Sequence, residues 1–134
     1  MKHTYDTDSI LFGLLKSSPL ISSLSGGIYA GQRPDGSVKE DIVINTISLS
    51  QAYEPQIGTS NVNIHVPDKL QTIGGAQMKI ENRARLKQLT EQVLSILRSA
   101  VVPGLSITVA SQNTVNDAEI NQHFVNIRID WFIH

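Results

Sequence analysis

Apolar residues at Ile10, Leu11, Leu14 and Leu15 fall at i, i+1, i+4 and i+5 and place one stripe on a helix over residues 7–16. Thr7 or Asp8 can cap it, because a short side-chain oxygen accepts from the free N–H groups of a first turn. Pro19 ends the stripe; Leu20, Ile21 and Leu24 suggest one more short turn before Gly26-Gly27. Residues 41–49, DIVINTISL, are rich in β-branched residues and read as a strand. Residues 61–66, NVNIHV, alternate, with Val62, Ile64 and Val66 on one side and Asn61, Asn63 and His65 on the other. Between these two strands, 50–60 is polar, carries Pro55 and Gly58, and reads as a loop.

Residues 70–78, with Gly74-Gly75 in the middle, read as irregular. From about Ile80 to Ala100 the period turns helical: Leu86, Leu89, Val93, Ile96 and Leu97 share a stripe, and Pro103-Gly104 closes the segment. LSITVAS (105–111) reads as a third strand, QNTVNDAE (112–119) as a polar turn, and 120–133 as a long final strand. In that last strand Val125, Ile127, Ile129, Trp131 and Ile133 face one way, and Asn126, Arg128 and Asp130 the other. The order α-β-β-α-β-β, with strands paired across short polar connections, predicts an α+β fold. The expected sheet is mainly antiparallel, with about four strands and both helices on one face.

Length confines this to a single domain over 1–134. A hydrophobic share of 40% against 17% charged residues is enough for a core and argues against global disorder. A net charge of −1 cannot build the basic face that duplex nucleic acid requires, and 5% aromatics is too sparse for a stacking platform. The absence of cysteine excludes a disulfide scaffold and thiolate metal sites. Asp6, Asp8, Lys16 and Pro19 break the start of the chain as a signal peptide, and no apolar run reaches membrane-spanning length.

The stretch LSGGIYAGQRPDG (24–36) resembles a phosphate loop only in composition. Such a loop runs from a strand into a helix and carries a Lys and a Ser/Thr at fixed offset; here the glycines follow a helix and precede a strand. A helix end followed by a turn at Pro34-Asp35-Gly36 is the expectation. His3, His65, His123 and His134 show no metal-ligand spacing, and no nucleophile elbow surrounds any serine. His65 and His123 fall on strands that could be neighbours. Arg128 and Asp130 suit an exposed cross-strand ion pair, or an interface pair in an oligomer. Trp131, on the apolar face, is expected in the core. No catalytic, cofactor or metal site is therefore expected, and the chain does not read as an enzyme.

The segment SILFGLLKSSPLISSLSGGIYAGQRPDG, followed by the strand DIVINTIS, resembles the opening of the phage tail-completion, or tail terminator, family of long-tailed bacteriophages. The resemblance rests on Gly27-Ile28-Tyr29-Ala30-Gly31 ahead of Pro34, and then on the order strand, polar loop, alternating strand, amphipathic helix NRARLKQLTEQVLSIL and closing strand pair. It holds as sequence over residues 10–49 and as an arrangement over nearly the whole chain. It implies a structural role in virion assembly, in the virion or in the host cytoplasm as tails are built. The ring, usually hexameric, would cap the head-proximal end of a tail tube and meet a head-completion protein. The partners implied are copies of the chain itself, the tail tube protein and a head-completion protein. Candidate contacts are Tyr53, Glu54 and Gln56 in the first loop, Asn116, Asp117 and Glu119 in the second, and Arg128 with Asp130. Alternatives are another head–tail connector or adaptor module, or a small ligand-binding or enzymatic domain around His65, His123 and Arg128.

Overall fold

A computed structural model describes residues 1–117 and 122–134. The fold is mixed α+β and mostly sheet. Helix α1 (Thr4–Lys16) and the single turn α2 (Leu20–Ser23) lead into a short strand β1 (Ile28–Ala30). Strands β2 (Asp41–Leu49) and β3 (Gln56–Pro67) follow, then β4 (Lys69–Ile73) and β5 (Ala76–Ile80). Helix α3 (Arg83–Ser99) precedes β6 (Leu105–Asp117) and β7 (Gln122–Ile133). The main sheet has five strands in the order β1-β2-β3-β7-β6, while β4 and β5 form a separate two-stranded sheet. The expected four strands and α-β-β-α-β-β order are thus corrected. The added strand β1 lies within the glycine-rich stretch and pairs parallel with β2, and the other pairings of the main sheet are antiparallel.

Both long helices cover the same face. Leu11 and Leu15 of α1, and Leu86, Leu89, Val93 and Leu97 of α3, join one core with Ile42, Ile44, Val62, Ile64, Ile127 and Ile129 from the sheet. Trp131 is buried there as expected. Its indole Nε1 donates to Ser60 Oγ at 2.7 Å, Ser60 bonds to Thr46 at 2.7 Å, and Thr46 bonds to both Thr7 and Asp8 of α1 at 2.7 Å. This polar chain pins α1 to β2 and β3, and its mutual pairing offsets the cost of burying hydroxyls. It also corrects the expected cap. Thr7 and Asp8 turn toward the sheet, α1 begins earlier, and the Asp6 carboxylate accepts from the His3 N–H at 2.7 Å.

Two expected loops are mostly strand. β3 begins at Gln56, so the first connection is 50–55 rather than 50–60. Gly58 lies inside β3 because a bulge in β2 between Thr46 and Ser48 brings main chain close to it. A Cβ at Gly58 would sit 2.5 Å from the Ser48 carbonyl oxygen. A glycine that reads locally as a turn here admits a neighbouring backbone. The second expected turn, 112–119, is the far half of β6 as far as Asp117, in register with β7 from Ile127 to Gln122. Cross-strand hydrogen bonding overrides the turn preference of Asn113 and Asn116.

Residues 70–78 are not irregular but the greater part of a hairpin, with Lys69 opposite Ile80 and Ile73 opposite Ala76. Gly74 and Gly75 both take positive φ, 59° and 82°, the conformation a two-residue hairpin turn needs to match strand twist. Every residue from Lys69 to Lys79 is exposed. The hairpin is an arm projecting from the junction of β3 and α3.

Candidate interaction surfaces

The glycine-rich stretch wraps around one buried carboxylate. Asp41, at the start of β2, is 1% exposed and accepts from Gly27 N–H at 3.1 Å, Arg33 Nη1 at 3.3 Å and Ser37 Oγ at 2.5 Å. A Cβ on Gly26 would lie 1.9 Å from Asp41 Oδ1 and 2.4 Å from the Glu40 carbonyl, so glycine is required there by close approach. Arg33 continues to Gln122 Oε1 at 2.6 Å, and Gln122 Nε2 donates to the Ser37 carbonyl at 2.7 Å. The loop 31–40 is thereby tied down to β2 and β7. The expected turn is present, with Ser37 N–H donating to the Pro34 carbonyl and Gly36 at φ 71°. The glycines hold a side chain of the protein itself.

Beside this network, His65 stacks on Phe124 with ring centroids 4.8 Å apart. Burial and the nearby Arg33 guanidinium lower its pKa to about 4, against a smaller opposing pull from Asp41 and Asp117, so the ring is neutral at pH 7. His65 and His123 are not the pair that their strands suggested. In the ladder His65 stands opposite Phe124, while His123 stands opposite the core residue Val66 and has the parity of core-facing Val125. His123 instead bridges the two feet of the arm: Nδ1 to Asp68 at 2.7 Å, just before β4, and Nε2 lies 3.8 Å from Glu81, just after β5. The two carboxylates lie against opposite ring nitrogens, a geometry that spreads them rather than converging them on one ion. Among the described residues no group of three or more His, Cys, Asp or Glu has metal-binding geometry.

The sheet face away from the helices is open and rich in amide side chains. Asn126 Nδ2 donates to Asn61 at 3.1 Å and to Asn63 at 2.8 Å, and Asn113 stands opposite Asn126 on β6. Arg128 and Asp130 are exposed on this face. Arg128 stands between Asn61 and Ser111, and Asp130 between Thr59 and Thr108. The expected ion pair is not formed: neither residue makes one among the described residues. At the far end Ile57 and Phe132, opposite each other in the ladder, are exposed apolar side chains.

The remaining expected contacts scatter. Tyr53 and Glu54 are exposed in the short 50–55 connection, Tyr53 at 81%. Gln56 is 2% exposed and bonds to the Lys2 main chain through both Oε1 and Nε2, a structural tie between the chain start and β3. Asn116 and Asp117 end β6 opposite His123 and Gln122. Glu119 lies outside the described residues. The arm does leave a signal in the sequence, Gly-Gly between KLQTI and AQMKI, two short segments of strand-compatible residues.

The edges of the main sheet differ. β1, three residues long, forms one; β6, thirteen residues long, forms the other, and β6 carries no Lys, Arg, Glu or Pro and only the terminal Asp117. Among the described residues no helix is long and apolar enough to cross a membrane. Compared with known proteins, the chain matches no family model, and a search among characterised proteins returns no match.

Proposed function

We propose that this protein is a structural assembly protein of the phage tail terminator kind. It would form a ring, usually hexameric, that caps the head-proximal end of a tail tube and presents a surface to head-completion proteins. The observation that carries the reading is the arm Lys69–Ile80. It is an ordered hairpin whose side chains are almost all exposed, with Leu70, Ile73 and Met78 each about half exposed. A two-stranded hairpin is marginal by itself in water, so an arm of this kind is supported by contacts with another chain. The sheet offers a second and different surface in the β6 edge. Two unlike surfaces on one subunit are what a closed ring of head-to-tail contacts needs. The open face carries Asn61, Asn63, Asn113 and Asn126 with the exposed Arg128 and Asp130, a polar composition suited to wet protein contacts.

Solution mass by light scattering over a wide concentration range, with negative-stain imaging of the same samples, tests this reading. A discrete ring of subunits is expected, and adding it to polymerising tail tube protein should shorten the tubes and leave density at one end. A tight two-fold dimer that leaves tube length unchanged overturns the proposal.

A further inference from the structure

We infer that β5 of the arm of one copy adds as a strand to the free edge of β6 in the next copy, and that this joint closes the ring; the inference rests on the assembly reading above. Long edge strands are normally guarded by charges, prolines or extreme shortness, because their unpaired N–H and C=O groups recruit any available strand. β6 carries no charge or proline along its first twelve residues, and although a bulge at Ala110 interrupts it, Ser111 to Asp117 run in unbroken register with β7.

The side-chain pattern of the arm fits that edge. In β5, Ala76, Met78 and Ile80 lie on one face and Gln77 and Lys79 on the other. The two sides of β6 differ in the same sense. Ser111 and Asn113 extend the open amide face, whereas Gln112 and Thr114 stand opposite core residues Ile127 and Val125. Above Gln112 and Thr114 a groove of about 480 Å³ runs between β6 and α3, with Leu86 and Val125 in a lining that also holds Glu81, Arg83, Lys87 and Glu91. A strand added one spacing beyond β6, about 4.8 Å away, brings alternate side chains to the border of this groove and the others onto the amide face. β5 matches with its apolar face toward the groove and Gln77 and Lys79 on the polar side. The occupant is a second copy because each chain carries both parts, and among the described residues the main contacts of the arm are those between β4 and β5. Arm and edge are different surfaces, so the contact is heterologous and can propagate around a ring.

The chain contains no cysteine, so a pair can be introduced cleanly. Gln77→Cys and Asn113→Cys are both at exposed positions, and neither threatens the fold. The double variant, treated with a short bismaleimide and run on a denaturing gel, should give a ladder of linked subunits ending at the ring size. A mixture of the two single variants should give linked dimers, and each single variant alone should stay monomeric on the gel. Linked dimers from Asn113→Cys alone would mean edge-to-edge pairing and overturn the inference. A linked monomer from the double variant would mean that the arm closes on its own edge, which overturns the inference equally. No linkage in a sample that light scattering shows to be a ring would overturn the joint but leave the ring reading standing. A sample that stays monomeric by light scattering and unlinked would overturn the joint and count against self-assembly of the ring.

Discussion

Replacing Asp41 with alanine should be among the most damaging single changes outside the apolar core. The carboxylate is 1% exposed and takes three donors, from Gly27, Arg33 and Ser37. Removing one partner of a buried ion pair costs about 3–5 kcal/mol, because the other charge is left without compensation. Two features keep the cost from being a sum of three lost bonds. Arg33 is 13% exposed and retains Gln122, and Ser37 is partly exposed and can take water. A total of about 3–4 kcal/mol is therefore expected for Asp41→Ala, and about 2 kcal/mol for Asp41→Asn, which keeps the shape and one acceptor oxygen. At about 3–5 °C per kcal/mol for a domain of this size, Asp41→Ala should lower the Tm by about 10–20 °C. Urea denaturation of Asp41→Ala, Arg33→Met and the double variant gives the coupling directly, expected at about 1–3 kcal/mol. Hydrogen exchange should show faster opening of 31–40 in each single variant, with the helices little changed. A loss below about 1 kcal/mol for Asp41→Ala, or strict additivity in the cycle, would refute the carboxylate as organiser of the glycine-rich stretch.

His65 and Gly58 give two further tests. His65 has a folded pKa lowered to about 4, below its unfolded value near 6.5, so its contribution is fully present above pH 6.5 and is lost as pH falls toward 4. That shift at face value is about 3 kcal/mol, and solvent contact of the half-buried ring brings it to about 1–2 kcal/mol. Urea midpoints at pH 7, 5.5 and 4 should fall less steeply for His65→Gln than for the parent, and parallel curves would refute this. Gly58→Ala should cost about 2–3 kcal/mol, since its Cβ would meet the Ser48 carbonyl, which a flexible side chain cannot relieve; an unchanged denaturation midpoint would count against the bulge.

Periodicity alone determined the parts of this protein that bury apolar stripes. The α3 stripe from Leu86 to Leu97, the inward set Val62, Ile64 and Val66, and the set Val125 to Ile133 all lie where alternation or helical spacing puts them. Burial of one face is a local, repeating constraint, so it leaves a local, repeating trace. What only the tertiary structure decided has no such trace. Gln112 to Asp117 are strand because β7 lies beside them, and Gly58 is glycine because a bulge in the neighbouring strand comes within contact. Asp41 organises Gly27, Arg33 and Ser37, and Gln122 enters that network from 89 positions beyond Arg33. The candidate contacts Tyr53, Glu54, Arg128 and Asp130 were legible as exposed polar or aromatic residues, but Gln56 was not legible as buried, since its partner is the main chain at Lys2. The free edge of β6 became visible only once the sheet order was known. An edge is a property of what a strand lacks as a neighbour, and no residue in the strand records it.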